Sequence, residues 1–280
     1  MKIGQPKPND NLTRRGALGF LTGAGSWLAF GCGDSSSKRT AGADASTADA
    51  SRADGTPEAG ADGAACAVTP ESEIGPYFAD DSDPRFSRSN ILPNIDGTSP
   101  QLGIPLSLSV IVLDSEQGCA PYAGAQVDVW HCNAAGVYSD QAVEGTTTET
   151  WLRGYQLTDA NGKVTFATIV PGWYAGRTTH IHVRVRSSYS DASSTSDGTN
   201  TTQLFFDQTL IDRLATSVAA YDGEGQNPTT NAGDHVYAGE TNGANLLSLS
   251  GTDSGGYTGT IAIVLPIAGS GGTSSGAGGP

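Results

Sequence analysis

Between Cys66 and Ala268 the side chains alternate between apolar and polar in steps of two, in short runs separated by Gly, Pro, Asn and Asp. A period of two is the pattern of extended chain, whose side chains point to opposite faces in turn. Leu106, Leu108, Val110 and Val112 share one face of a predicted strand. Val127, Val129 and His131 alternate with Asp128, Trp130 and Cys132 on a second, and Ile181, Val183 and Val185 with His180, His182, Arg184 and Arg186 on a third. Tyr155-Gln156-Leu157 and Val164-Thr165-Phe166 flank Asp159-Ala160-Asn161-Gly162, which predicts a hairpin. Thr260 to Leu265 closes the domain as a last strand, and only Gln208 to Tyr221 carries a helical pattern. There is no internal repeat. The expected fold is all-β, a β-sandwich with long loops and one short helix over residues 66–268.

Both flanks lack this pattern. Lys2, Lys7, Arg14 and Arg15 precede an uncharged stretch from Gly16 to Gly31, too short to span a bilayer but suited to a signal-peptide core, so residues 1–32 read as an export signal. Thr13-Arg14-Arg15 resembles a twin-arginine signal, and Leu28-Ala29-Phe30-Gly31-Cys32 resembles a lipobox, which makes Cys32 a lipidation candidate and a membrane-anchored, periplasmic or extracellular location the expectation. Residues 33–65 hold no Val, Ile, Leu, Met or aromatic side chain. With nothing to bury, they cannot offset the entropy of ordering and are expected to form a flexible tether, as is the Gly/Ser tail at 269–280.

Charge narrows the partners. The chain carries 15 Lys+Arg and 29 Asp+Glu, a formal net charge of −14, and residues 1–65 contribute seven of each sign. The whole excess therefore lies in the β domain, which excludes a phosphate-neutralising patch for nucleic acid and leaves a lipid anchor as the expected membrane contact. Three cysteines remain in that domain, so outside the cytoplasm at least one disulfide is expected. The favoured pair is Cys66 with Cys119, leaving Cys132 as a buried thiol.

His180-Ile181-His182 is the sharpest local feature. On a strand, residues two apart face the same way, so both imidazoles converge, and imidazole suits Zn, Cu, Fe and Ni. A bare His-x-His pair is equally compatible with two polar residues on a solvated face. What surrounds it bears on the choice: Tyr174 and Arg177 stand in a Gly/Pro-shaped loop just ahead, and the second strand runs into a turn that ends on Tyr138.

Five motifs in order then resemble the intradiol ring-cleavage dioxygenases, which include catechol 1,2-dioxygenase and protocatechuate 3,4-dioxygenase. They are Thr69-Pro70-Glu71-Ser72-Glu73-Ile74-Gly75-Pro76-Tyr77-Phe78; Val129-Trp130-His131-Cys132-Asn133 with Gly136-Val137-Tyr138-Ser139; Pro171-Gly172-Trp173-Tyr174; Arg177-Thr178-Thr179-His180-Ile181-His182; and Thr201-Thr202-Gln203-Leu204-Phe205-Phe206. The resemblance implies a β-sandwich holding a mononuclear non-haem Fe(III) through Tyr138, Tyr174, His180 and His182, with a catechol-type substrate and O2 as reactants and a muconate-type diacid as product. It further implies that Tyr174 takes a substrate proton, that Arg177 stabilises negative charge on the ring, that Gln203 supports Arg177 or the substrate, and that Pro76 and Tyr77 form pocket wall. Two phenolates balance much of the charge of a ferric ion, and a hard cation lowers the pKa of a bound phenol far below its free value of ~10. Neither Asp128 nor Asp140 completes a two-His-one-carboxylate motif.

His131 is expected to pack near the site rather than bind metal, His235 beside Asp234 to lie on the surface, and Arg184 and Arg186 to be structural or rim charges. A shorter loop between Tyr174 and His180 and an apparent insertion at 187–200 depart from the well-known members, so substrate identity and oligomeric state do not carry over. The alternative function is a catalytically silent extracytoplasmic β-sandwich that binds a metal or ligand.

Overall fold

The strand with the clearest alternation, β1 (Pro105–Asp114), lies at the centre of one sheet. Leu106, Leu108, Val110 and Val112 are all inside, each at 1% exposure or less, and each such burial contributes about 1.5–3 kcal/mol relative to exposure. The computed structural model describes residues 66–79, 83–186, 199–223 and 225–267. The expected export signal with Cys32, the tether, the Gly/Ser tail and most of the 187–200 insertion lie outside the described residues.

After β1 come β2 (Ala120–Pro121), β3 (Gln126–Trp130), β4 (Arg153–Leu157), β5 (Lys163–Ile169), β6 (His180–Arg186), β7 (Thr199–Phe205), α1 (Gln208–Ser217), β8 (Ser248–Thr252) and β9 (Gly256–Leu265). They form two sheets. In the first, β1 has β9 parallel along one edge, with β8 beyond it, and the antiparallel β5 and β2 share its other edge. The second is antiparallel in the order β4-β3-β6-β7. Val127, Val129, Ile181, Val183 and Val185 of the second sheet join the β1 residues and Phe166 in one core. The all-β sandwich is thus the observed architecture.

Two readings change. β4 and β5 do not form a hairpin with each other: β4 pairs with β3 and β5 with β1, so the Asp159–Gly162 turn carries the chain from one sheet to the other. Asp159 Oδ1 still accepts the Asn161 and Lys163 amides, as a tight reversal requires. The helix ends at Ser217, where Val218 turns extended, and a six-residue π-type turn, His235–Glu240, adds helical structure in what reads as a surface loop.

On β3 and β6 both faces are buried. The face turned away from the core carries Trp130, Asp128, His182 and Arg184, with Trp130 opposite His182 and Asp128 opposite Arg184. An N-terminal strap, residues 69–79, lies over it. The strap is held along β7 by the Ser72 amide to Thr201 O, Thr202 Oγ1 to Pro70 O, Asn200 Nδ2 to Thr69 O and Gln203 Nε2 to Glu73 O. Its start is joined by the Cys66–Cys119 disulfide to the turn between β1 and β2, while Cys132 is a buried free thiol. Arg184 and Arg186 are therefore interior charges rather than rim ones: Arg184 lies over the Phe78 ring at 5.4 Å and Arg186 pairs with Asp128 at 3.2 Å. Among the described residues no helix is long and apolar enough to cross a membrane.

Candidate metal and active site

His180 and His182 project from the start of β6 on the strap side, as their spacing requires. His180 Nδ1 is 2.6 Å from the Thr178 carbonyl. A carbonyl can only accept, so the ring proton sits on Nδ1 and the Nε2 lone pair is left directed elsewhere. Around that Nε2 stand three other polar atoms: His182 Nε2 at 3.2 Å, Tyr174 Oη at 3.4 Å and Tyr138 Oη at 3.5 Å. The rings of His182 and Trp130 stack at 4.8 Å and 7°. On the strap, Gly75 adopts φ +73°, and a Cβ there would come within 3.0 Å of the His182 ring, so glycine lets the strap close on it.

The two tyrosines arrive on separate loops that interlock. Tyr138 follows the turn after β3 and Tyr174 follows Pro171-Gly172 after β5. Asn133 O accepts the amides of both Gly136 and Gly172. A Cβ on Gly136, at φ +77°, would stand 2.0 Å from the Trp173 carbonyl oxygen, and one on Gly172 would stand 2.3 Å from Ala134 O. Backbone against backbone at two glycines sets the separation of the tyrosines. Gly136→Ala is expected to cost at least about 2–3 kcal/mol, more than the roughly 1 kcal/mol of Gly118→Ala, whose positive φ faces open space. Thermal denaturation of the two variants, with metal analysis of each, checks both the cost and the displacement of the tyrosine donors.

Tyr138, His180 and His182 are at 1%, 2% and 0% exposure, whereas Tyr174 is half-buried, so the cluster opens on the Tyr174 side. Tyr77, half-buried on the strap, stacks on Tyr138 with centroids 4.2 Å apart and meets Tyr174 edge-on at 5.3 Å; Pro76 beside it is exposed. Arg153 lies 6.0 Å from the centroid of the Tyr138 ring and donates to Ser139 Oγ and O.

Burial sets the protonation states. It pushes His180 down to about 3, helped by the nearby Arg177, and pushes His182 well below its ordinary value, so both imidazoles are neutral at physiological pH. Burial also raises both Tyr138 and Tyr174; for Tyr174 the Arg177 charge acts in the opposite direction. Two neutral imidazoles and two phenols drawn to one point fit a cation. Donors bound to one ion at about 2.0–2.1 Å lie about 3 Å or slightly more apart, the spacing seen around His180 Nε2. Two phenolates favour a hard, highly charged ion over a soft one. Of the carboxylates weighed above, Asp128 is engaged with Arg186 and Asp140 is exposed.

Arg177 is buried beside this cluster and bonded through its Nε to Asp234 Oδ2 (2.8 Å) and through its NH2 to Gln203 Oε1 (2.5 Å), so the predicted Arg177 and Gln203 meet. His131 is fully buried, between Cys132 O and Thr168 Oγ1, and takes no place in the cluster. His235 is exposed, as its loop suggests, but reaches Glu73 Oε1 at 3.2 Å; with Glu240 these form an exposed acidic rim next to Arg177. Asp234 is the residue that sequence reasoning missed: it is 1% exposed, not a surface acid. Its one sequence signal is its place just before a helical turn, where Asp caps amides.

A family model described as a dioxygenase matches residues 74–223, more than half of the chain. The chain belongs to the intradiol ring-cleavage dioxygenase family. An intradiol ring-cleavage dioxygenase from Tetranychus urticae shares the fold at a TM-score of 0.60 and 25% identity, over 72% of this chain and 96% of that one. The dioxygenase domain of a carbohydrate-binding fusion from Streptomyces sp. SirexAA-E is 30% identical with a TM-score of 0.50, over 72% of this chain and 100% of that one. A catechol 1,2-dioxygenase of Candida albicans is 34% identical over 120 residues, which are 39% of this chain and 36% of that protein. The chain thus spans about a third of that curated relative's length. The family model's match ends at Gly223, ahead of Asp234.

Proposed function

We propose that this protein is a ferric intradiol dioxygenase acting on a catechol-type substrate. The convergence of Tyr138, Tyr174, His180 and His182 on one point, in a member of this family, carries the reading. Fe(III) held there would supply Lewis acidity and make the catecholate ring reactive toward O2. Neutral imidazoles can bind without first losing a proton, and Tyr174, the more exposed tyrosine, is suited to leave the donor set and accept a substrate proton on its Oη. Arg177 would stabilise negative charge on the ring from a fixed position, held by Gln203 and Asp234. Tyr77 and the strap wall the site from water.

The substrate is expected to be a neutral catechol. Arg177 is committed to Asp234 and faces Glu73 at 3.7 Å, and Glu73 and Glu240 add negative charge at the rim, so a substrate carboxylate meets repulsion rather than a spare cation. Purified protein should contain about one iron, absorb in the visible through tyrosinate-to-iron charge transfer, and consume O2 with catechol faster than with 3,4-dihydroxybenzoate. Colourless protein that consumes no O2 with any catechol would defeat the proposal.

A further inference from the structure

The segment after α1 returns to the site and holds Arg177 and its neighbour Thr178 through three side chains. Asn227 Nδ2 donates to Arg177 O (2.9 Å), Asn231 Oδ1 accepts from Thr178 Oγ1 (2.6 Å), and Asp234 grips the guanidinium. All three side chains are buried, at 6%, 6% and 1% exposure. Asp234 Oδ2 accepts from Arg177 Nε (2.8 Å) and the Thr178 amide (2.8 Å). Its Oδ1 accepts from the Val236 and Tyr237 amides (both 3.0 Å) and stands 3.3 Å from Arg177 NH2. The carboxylate is thus fixed by three amides before it meets the arginine, and the arginine is fixed by a carboxylate that cannot rotate. Gln203 ties the same NH2 from the other side, and its Nε2 is in turn held by Glu73 O.

We infer that Asp234 is a positioning residue that sets the orientation of the Arg177 guanidinium in the candidate site. The inference rests on the ring-cleavage reading for its consequence but not for its geometry. A fork in which Nε and NH2 both point at one rigid carboxylate leaves the guanidinium plane no rotation about its last bonds. Asn in place of Asp234 keeps the size and the amide contacts of one oxygen but removes the charge and one acceptor.

The test uses the full chain with Asp234→Asn. In iron-loaded protein, iron content, the visible band and KM for catechol should stay within about threefold of the parent, while kcat falls about 10- to 100-fold, the scale of a misaligned catalytic group. In iron-free protein, the Arg177 Nε–H resonance, assigned by its loss in Arg177→Lys, should exchange with solvent at least about tenfold more slowly than that of exposed Arg85, and that protection should vanish in Asp234→Asn. An unchanged kcat in a parent enzyme that turns over catechol, or an Arg177 proton no better protected than that of Arg85, overturns the inference. Loss of iron in Asp234→Asn along with kcat overturns it in favour of a merely structural role. Should the parent consume no O2, the ring-cleavage reading fails alone and the exchange measurement still decides the positioning. Should Asp234→Asn not fold, exchange in the parent decides it.

Discussion

His180→Ala is expected to abolish both iron retention and oxygen consumption, with bound iron falling below about a tenth of the parent protein's. His182 Nε2 and both tyrosine Oη atoms lie 3.2 to 3.5 Å from His180 Nε2, so its removal takes away a donor that adjoins all three others. Altering groups that merely orient metal ligands already costs 10- to 100-fold in affinity, and deleting a ligand costs more. The Thr178 carbonyl that fixes the tautomer would also lose its donor. Tyr174→Phe provides the contrast. Its side chain is half-buried at the open side, so three donors remain in place; it should retain part of the iron, with a shifted or bleached visible band, and lose turnover because the phenolate positioned to take the substrate proton is gone. Iron analysis, visible absorption and oxygen uptake on the two variants separate these effects. Stoichiometric iron with normal turnover in His180→Ala would remove Nε2 from the centre and the ferric reading with it.

The parts of this fold that could be read from the chain are those in which one residue type does one job. In β1 and β6, β-branched and Leu side chains recur every second residue, and the core they meet lies on the face that this spacing selects. The same periodicity put His180 and His182 together without knowledge of what they face. β7 was legible only as a motif, because Thr201, Thr202 and Gln203 have no apolar alternation; Thr202 and Gln203 are buried on an edge strand along which the strap runs and bonds both side chains, which is a tertiary fact. The Asp159–Gly162 turn shows the opposite limit. Local hydrogen bonds dictate that the chain reverses, yet nothing local dictates that the two strands entering it belong to different sheets. Arg184, Arg186 and Asp234 mark a third limit. A charged residue is by prior on the surface, and only the partner that neutralises it, remote in sequence, makes burial tolerable: 57 residues separate Arg177 from Asp234.

That last pair makes Arg177→Gln the variant with the second largest expected effect, on two separable properties. With the guanidinium gone, Asp234 stays buried with its amide donors but without a countercharge. Burial by itself raises the Asp234 carboxyl; the Arg177 bond, with the Tyr237 and Thr178 amides, outweighs this and holds it below the ordinary value. A buried pair broken from one side typically costs about 3–5 kcal/mol, most of it the stranded charge. At about 2–4 °C per kcal/mol for a domain of this size, the melting temperature should fall by roughly 10 °C. Turnover should fall about 10²- to 10³-fold, as when one preorganised charge is removed from beside a developing anion, while bound iron stays near the parent level because Arg177 is not among the four donors. Adding Asp234→Asn to Arg177→Gln removes the stranded charge as well. The double variant should regain much of the lost melting temperature, since the two changes share one pair and cannot add, but none of the lost rate. If the rate returned together with the stability, Arg177 would be acting only through the fold and its electrostatic role in the site would be excluded. Thermal denaturation and oxygen uptake on the four members of the cycle give both answers from the same protein.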